Sequence, residues 1–231
     1  MRIAIALLLS LSFIIPCKAQ TTDVDAVVNS VINTLGGREK LLTVNSIRKT
    51  GNIEFSGQKI PYNYYAINKK AQRTEFIFSG MTGYFIITKD SGFNFNPFQG
   101  QTSADNVTAE DLKLAQDDLD LQTVLVDYKS KGYTIDLLEN EDVDGVDAFQ
   151  LKITISPNKT LFYFIDPSGY FIIRIKTVTI SNGQQNVNST DYYNFKKTKE
   201  GILYAYTFDN ITFDSIEINV PLDDKLFRPT K

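Results

Sequence analysis

The first regular pattern of apolar residues after residue 22 repeats every three or four positions. Such a repeat predicts an amphipathic helix, because those positions share one helical face. Thr22 or Asp23 can cap its start, and Gly36-Gly37 can end it, with a short second turn from Arg38 to Leu42 after it. We favour packing of the apolar stripe on a sheet over binding to a membrane or a partner. The stripe consists of Val24, Val27, Val28, Val31, Ile32 and Leu35.

From Val44 onward apolar and polar residues alternate, which is the two-residue repeat of β-strands. Turn signals such as Asn182-Gly183 separate the extended runs, so we predict about ten or eleven strands in a strongly curved antiparallel meander. The alternation changes parity near Asp214 and Ser215, which predicts a β-bulge there. Clear alternation is found at Ile53 and Phe55, at Phe149, Leu151, Ile153 and Ile155, and at Tyr204, Tyr206 and Phe208.

One segment with helical spacing interrupts the strands. Thr108 and Asp111 have the spacing of a capping pair, and a second helix is predicted from roughly Leu119 to Lys131. We therefore predict a mainly β (α+β) fold. It is a strongly curved antiparallel sheet, or incomplete β-barrel, with an N-terminal helix and a mid-chain helical lid. No linker or repeat divides residues 20–231, which we expect to form one domain.

Residues 1–19 have the parts of a secretory signal peptide: a charged start, the apolar run Ile3–Ile15, and small residues before Ala19. We predict cleavage after Ala19 and export. The periplasm is the expected compartment, because an exported chain without disulfides is typical of a bacterial envelope. Cys17 follows Pro16 rather than a small residue, so simple cleavage is favoured over lipid anchoring at this cysteine.

Composition excludes several kinds of chemistry. Histidine and tryptophan are absent, and the single cysteine lies in the predicted signal peptide. Serine–histidine–aspartate catalysis and zinc sites built from histidine and cysteine are therefore excluded, and we expect no metal and no cofactor. Loss of Arg2 and Lys18 would lower the 24 basic residues to 22 against 27 acidic ones, a net charge of −5. This balance argues against nucleic-acid binding.

Acidic residues are the remaining candidates for catalysis. Paired carboxylates can act as acid and base when they face each other, but nothing in the sequence places two of them that way. The segment from Asn140 imitates the start of a calcium loop, yet Leu151 stands where that loop requires a glutamate. We favour solvated turns and helix ends. The two clusters are Asp117, Asp118 and Asp120, and Glu141, Asp142, Asp144 and Asp147.

Aromatic residues allow two interpretations, a filled core or an apolar ligand cavity. The chain contains 16 phenylalanines and 12 tyrosines, which one sheet and few helices must bury. Leu161–Ile165 is apolar at every position, as expected for a strand that is covered on both faces. Composition alone favours neither interpretation.

Several segments along most of the chain carry a family resemblance. They are INTLGGREKLLTVNSIRKTGNI at 32–53, GFNFNPFQG at 92–100, LVDYKSKGYTIDLL at 125–138, VDGVDAFQLKI at 143–153, FIDPSGYFI at 164–172 and INVPLDDKLFRP at 218–229. In this order they resemble the LolA-like periplasmic lipoprotein-carrier superfamily, and more closely its outer-membrane lipoprotein-sorting-type proteins. The segments are turns and strand starts rather than catalytic signatures.

The resemblance implies an incomplete barrel whose apolar concave side is covered by helices and shields acyl chains from water. We therefore expect a periplasmic, non-enzymatic binder or carrier of lipid or lipoprotein acyl chains, with an envelope membrane protein as a further candidate partner. The alternative is a structural or protein-interaction protein of the envelope that uses the same fold without a ligand. A carboxylate-dependent hydrolase ranks third.

Candidate residues follow from this expectation. Classical carriers of this kind hold the lid closed with a strand arginine that has no match here; Arg73 and Arg174 are the strand arginines that could take that part. Lid contacts are expected at Leu121, Val124 and Leu125. The concave cavity is expected to be lined by Phe76, Phe78, Phe149, Leu151, Ile153, Tyr204 and Tyr206.

Overall fold

A computed structural model describes residues 23–230, so the predicted signal peptide and Cys17 lie outside the described residues. The predicted N-terminal helix is confirmed as α1 (Val24–Leu35), and α2 (Arg38–Leu42) follows it. The Asp23 carboxylate accepts a hydrogen bond from the Asp25 backbone amide, and Gly36 ends α1 with a positive φ of 130°. The third helix is α3 (Ala109–Leu114), capped as predicted by the Thr108 hydroxyl.

Fourteen strands occur among residues 23–230, more than the ten or eleven predicted, because several are only two to four residues long. They are β1 (Ser46–Phe55), β2 (Gln58–Ile67), β3 (Ala71–Phe78), β4 (Met81–Thr88), β5 (Gly92–Phe95), β6 (Asp105–Asn106), β7 (Thr134–Leu137), β8 (Glu141–Val143), β9 (Val146–Ser156), β10 (Lys159–Asp166), β11 (Phe171–Ser181), β12 (Gln184–Lys197), β13 (Leu203–Phe208) and β14 (Ile211–Ile218).

The strands form one antiparallel, curved sheet that does not close. The hydrogen-bonded order is β6-β5-β4-β3-β2-β1-β14-β13-β12-β11-β10-β9-β7, and β8 pairs with the first part of β9. Most neighbours are also consecutive in sequence, as hairpin turns require, whereas β1 and β14 bring the two ends of the chain together. The predicted mainly β fold with a strongly curved, unclosed sheet is confirmed.

The predicted bulge lies between β1 and β14. Thr50 pairs with Ser215 and Gly51 pairs with Phe213, so Asp214 is the extra residue. A side chain at Gly51 would meet the carbonyl oxygen of Thr212 at 2.1 Å. Glycine therefore permits the close approach of the two strands at the bulge.

The main core lies on one side of the sheet, which we call the inner face. The apolar stripe of α1 packs there against alternate residues of strands from β1 to β14, as the two-residue repeat predicted. A smaller core lies on the opposite, outer face of β3 and β4, where the C-terminal 3₁₀ helix Asp224–Phe227 packs. The inner face is thus the side on which a cavity can form beneath a cover.

The predicted helix from Leu119 to Lys131 is wrong. A 3₁₀ turn, Asp117–Leu119, is followed by successive turns without an α-helix. Thr123 and Asp127 adopt φ of 65° and 52°, a left-handed conformation that no right-handed helix can contain. Residues 119–133, which we call the covering segment, nevertheless bury Val124, Leu125 and Val126 against the inner face.

Candidate functional site

Two adjoining cavities lie on the inner face, and the first of them lies beneath its cover. The first, which we call the apolar pocket, has a volume of about 150 Å³ and is lined mostly by aliphatic and aromatic side chains. The second, the lysine chamber, has a volume of about 320 Å³. Tyr192, Tyr204 and Ala205 line both cavities, so the two adjoin each other along β12 and β13.

The roof of the apolar pocket is built by the α1–α2 corner and the covering segment. Leu35 ends α1, Leu41 lies in α2, and Leu121 reaches down from the covering segment. The Leu121 amide donates a 3.0 Å hydrogen bond to the Asn68 side chain, and Gln122 donates a 2.8 Å bond to the Leu42 carbonyl. These bonds tie the covering segment to the β2–β3 turn and to α2.

The walls of the apolar pocket come from β11, β12 and β13. Ile172 and Ile175 of β11 line it, and the rings of Phe171 and Phe195 pack with centroids 5.0 Å apart. Neither acidic nor basic side chains line this pocket. Its chemistry therefore suits a hydrocarbon group.

The lysine chamber is built around Lys49 of β1. The Lys49 amine lies 5.3 Å from the ring centroids of Tyr64, Tyr204 and Phe213. Within residues 23–230 this amine forms neither a hydrogen bond nor an ion pair, although lysines elsewhere find carboxylate partners. Burial lowers the pKa of Lys49 to about 8 because the charged form loses its hydration.

Tyrosine hydroxyls surround this lysine. Burial raises the pKa values of Tyr62, Tyr64 and Tyr204, and it raises that of Tyr192 to about 12. These phenols therefore stay neutral near pH 7 and can donate hydrogen bonds. In the described part of the chain, the hydroxyls of Tyr192 and Tyr204 bond to no protein group, whereas Tyr64 donates to Gln72 at 3.1 Å. Lys49 is the single charged residue that lines the chamber.

The predicted site residues are spread over the inner face, and two of them line these cavities: Tyr204 lines both, and Leu121 lines the apolar pocket. Tyr206 lies beside them, with the Lys196 amine 5.0 Å from its ring centroid. Phe76 and Phe78 share the inner-face parity but lie at the far end of β3, against Phe98. The remaining five belong to the packed core and are Phe149, Leu151, Ile153, Val124 and Leu125.

Lys49 was missed because a polar residue in a strand is ordinarily assigned to the solvent face. The position of Lys49 in the two-residue repeat of β1 indicated the inner face, since Ile47 and Ile53 lie on the same face of that strand. A lysine between two inward isoleucines, at an even spacing from both, indicates a charged group that points toward the core.

The strand arginines point away from the cavities. Arg73 lies on the outer face, where its guanidinium stacks 4.4 Å from the ring centroid of Tyr84 and donates to the Leu226 carbonyl at 3.2 Å. Arg174 pairs with Asp191 and with Asp144 of the β8–β9 turn, also on the outer face. Neither arginine touches the covering segment.

The acidic cluster of Asp117, Asp118 and Asp120 is bound by lysines, whereas in the second cluster Asp144 pairs with Arg174 and the cross-strand partners Asp142 and Asp147 lie on the exposed β8–β9 hairpin. Lys159 binds Asp117 and Asp118, and Lys131 binds Asp120 at 2.7 Å. A cleft of about 450 Å³ beside Lys159 has a mixed, partly charged lining. Between residues 23 and 230 no group of three or more acidic, histidine or cysteine side chains is placed to hold a metal ion.

Comparison with solved structures identifies the fold. The chain resembles a domain from Vibrio parahaemolyticus named for outer membrane lipoprotein sorting, with 12% identity and a TM-score of 0.50 over 87% of this chain and 94% of that chain. The chain has a LolA-like fold. The resemblance found in the sequence is thereby confirmed at the level of the fold, which is all that this identity supports.

Other solved structures show weaker likeness to the LolA-like fold described here. A LolA superfamily protein from Nitrosomonas europaea gives a TM-score of 0.49 and 14% identity over 87% of this chain and 97% of that chain. The MucA/MucB complex of Pseudomonas aeruginosa gives 0.28 and 14% over 86% of this chain and 60% of that chain. No protein-family model and no curated protein sequence matches the chain.

None of the helices among residues 23–230 has the length and apolar character needed to cross a membrane.

Proposed function

We propose that this protein is an exported, non-enzymatic binder or carrier of an acyl chain, working in the periplasm. The observation that carries the proposal is the apolar pocket, which lies beneath the α1–α2 corner and the covering segment and has no charged lining residue. Moving an acyl chain from water into such a pocket is favourable by about 0.8 kcal/mol per methylene. Binding therefore needs no catalytic group.

The covering segment, which forms one part of the roof, supports a carrier role because it consists of turns rather than a rigid helix. The covering segment has two left-handed residues, Thr123 and Asp127, and Leu121 is held over the pocket by backbone and side-chain hydrogen bonds. Such a segment can move aside at modest cost and let a chain enter or leave. Outer-membrane lipoproteins, for which the Vibrio domain is named, would supply acyl chains of this kind.

Blocking the pocket tests the proposal. Leu121→Trp places an indole in the apolar pocket, whereas Leu138→Trp adds the same group at a position that is 37% exposed and away from both cavities. The chain has no tryptophan, so the fluorescence of each variant reports on one indole. A blue-shifted emission for Leu121→Trp shows that the indole fills the pocket.

Calorimetric titration with 1-decanol then gives the result. We expect wild type and Leu138→Trp to bind one decanol, and Leu121→Trp to lose affinity at least about tenfold, which corresponds to roughly 1.4 kcal/mol. Equal binding by all three proteins would place the alcohol elsewhere. No binding by wild type would contradict the proposal itself.

Exposed apolar residues at the β3–β4 hairpin support a second candidate function, binding of an envelope membrane protein. Phe78, Met81 and Phe85 are 42%, 43% and 39% exposed; Phe78 and Met81 are cross-strand partners, and Phe85 lies on the same face of β4, four residues from Met81. A photo-crosslinking residue at Phe78 tests this candidate in envelope fractions, with the same residue at the exposed Val187 as the control. A discrete crosslinked protein at Phe78 alone supports it, and identical patterns at the two positions count against it.

A further inference from the structure

Lys49 is a charged donor that forms no hydrogen bond within residues 23–230, in a chamber whose other lining residues are all uncharged. An ammonium group carries three N–H donors, and moving it out of water is costly unless it is paired. Its three aromatic neighbours at 5.3 Å offset part of that cost through their negative ring faces. They supply no hydrogen-bond acceptor in the plane of the donors, so the amine keeps its capacity to bind an anion.

We propose that the two cavities together bind one amphiphile that has a single acyl chain and a carboxylate head group, with the carboxylate at Lys49 and the chain in the apolar pocket. This inference deepens the proposed function and rests on it. It names the charge of the head group, the number of chains and the residue that recognises the head.

Charge and donor chemistry favour a carboxylate. Lys49 contributes one positive charge, and no acidic side chain lines the chamber, so the site is complementary to a head group with one negative charge. A carboxylate has two oxygens that can accept hydrogen bonds from the lysine and from neutral phenols. The unbonded hydroxyls of Tyr192 and Tyr204 line the same chamber. A phosphate monoester carries more charge and is matched better by the planar fork of arginine.

The geometry of the cavities sets the direction of the chain. Tyr192 and Tyr204 line both spaces, so a chain that leaves Lys49 passes them and reaches Leu35, Leu41 and Leu121. An apolar cavity of about 150 Å³ holds a group the size of benzene. The pocket therefore takes the end of one chain rather than the two or three chains of a membrane lipid, and the rest of that chain would lie in the lysine chamber.

Burial of its charge makes Lys49 unfavourable for the stability of the empty protein and favourable for the binding of an anion. The pKa of Lys49 is lowered to about 8 by burial, which means that the fold destabilises the charged amine. A carboxylate beside the amine would reverse this effect, because opposite charges favour each other's ionised forms. The energy recovered in that way contributes to affinity for an anionic ligand and nothing to affinity for a neutral one.

The test compares three probes with the same ten-carbon chain: decanoate, 1-decanol and decyl phosphate. Each is titrated calorimetrically at pH 6.5, below the critical micelle concentration, into wild type, Lys49→Met and Lys49→Arg. Lys176→Met is the matched control, since the Lys176 amine also lies 5.3 Å from a ring centroid, that of Phe162, but on the outer face. Circular dichroism and thermal melting verify that each variant is folded.

We expect wild type to bind decanoate more tightly than decanol, and Lys49→Met to lose affinity for decanoate by about 10- to 100-fold, the value of a charge-assisted hydrogen bond. Affinity for decanol should stay unchanged in that variant. Lys49→Arg should retain the preference for decanoate, and Lys176→Met should behave as wild type.

Three outcomes would overturn the inference. Equal affinity of wild type for decanoate and decanol, with no effect of Lys49→Met, removes the head-group site while the acyl-binding function stands. Tighter binding of decyl phosphate than of decanoate shows that the head group is a phosphate rather than a carboxylate. Failure of all three probes to bind wild type removes the acyl-binding function as well, so the two failures are distinguishable. If Lys49→Met does not fold, the order of affinities of the three probes for wild type and for Lys49→Arg tests the carboxylate assignment instead.

Discussion

The amine of Lys159 lies 2.8 Å from a carboxylate oxygen of Asp118, and the same amine binds Asp117 at 2.9 Å and the Leu114 carbonyl at 2.8 Å. Lys159 is 5% exposed. The three bonds join β10 to the end of α3 and the 3₁₀ turn that leads into the covering segment. Lys159 is therefore a buried cation that fixes the end of α3 and the 3₁₀ turn to the sheet, directly before the covering segment.

Replacing Lys159 should destabilise the protein. Lys159→Met leaves the Asp117 carboxylate buried without a cation, and removal of one partner from a buried pair costs about 3 kcal/mol. Lys129→Met is the control, because Lys129 and Asp25 form a solvent-exposed ion pair that should contribute little. Urea unfolding measures both. Equal stability of the two variants would show that the Lys159 cluster does not hold the insertion.

Lys49 should make stability depend on pH. Its folded pKa of about 8 lies below the unfolded value, near 10.4, so the unfolded chain binds more protons between these limits. The free energy of unfolding of wild type should therefore rise as the pH rises from 8 to 9.5. Lys49→Met should lack this rise and should be more stable than wild type at pH 7 by about 2–3 kcal/mol.

Urea unfolding at pH 7 and pH 9.5 checks that dependence. The window ends below pH 10 because tyrosines such as Tyr62 have raised pKa values in the folded protein. At higher pH these tyrosines ionise in the unfolded chain first, which lowers the free energy of unfolding. Parallel pH profiles for wild type and Lys49→Met would show that folding does not lower the pKa of the amine and would contradict this prediction.

Arg73 should stabilise the C-terminal segment without affecting the cavities. Arg73→Gln removes the stacking on Tyr84 and the bond to the Leu226 carbonyl on the outer face. We expect faster amide hydrogen exchange in residues 222–228 and unchanged affinity for decanol. Loss of decanol binding with unchanged exchange would instead support a latch role for this arginine.

Gly51 should be required at the bulge. A methyl group there would lie 2.1 Å from the Thr212 carbonyl oxygen, so β1 and β14 would have to separate. Gly51→Ala should lower the free energy of unfolding by about 1–3 kcal/mol, the range for overpacked sites. A thermal melt measures the change, and an unaltered midpoint would mean that the strands move apart without cost.

Local signals in the sequence predicted much of this fold. The Asn182-Gly183 turn has φ of 52° and 73°, as the turn chemistry requires, and the change of parity at Asp214 marks the bulge. The covering segment was predicted incorrectly because its apolar residues follow helical spacing. Thr123 and Asp127 adopt left-handed φ values, and neither residue type indicates that conformation in the sequence.

The candidate site was less predictable because strand parity gives a face but not a place on that face. Phe78 shares the inner-face parity yet lies at the end of β3, beyond the cover, and is 42% exposed. Leu151 is on the same face but fully buried in the packed core. Which inward residues line a cavity depends on where α1 and the covering segment end, and that is set by contacts distant in sequence.

The acyl-binding claim is tested most directly by native mass spectrometry of the protein exported and purified without detergent. We predict that wild type carries at most one small molecule per chain. Mild collisional activation should release this molecule, and its mass should be that of a single-chain carboxylic acid. Leu121→Trp should carry none. The Leu138→Trp control should match wild type. A wild-type protein that is free of any bound molecule, and that takes up neither decanoate nor decanol when they are added, would contradict the account.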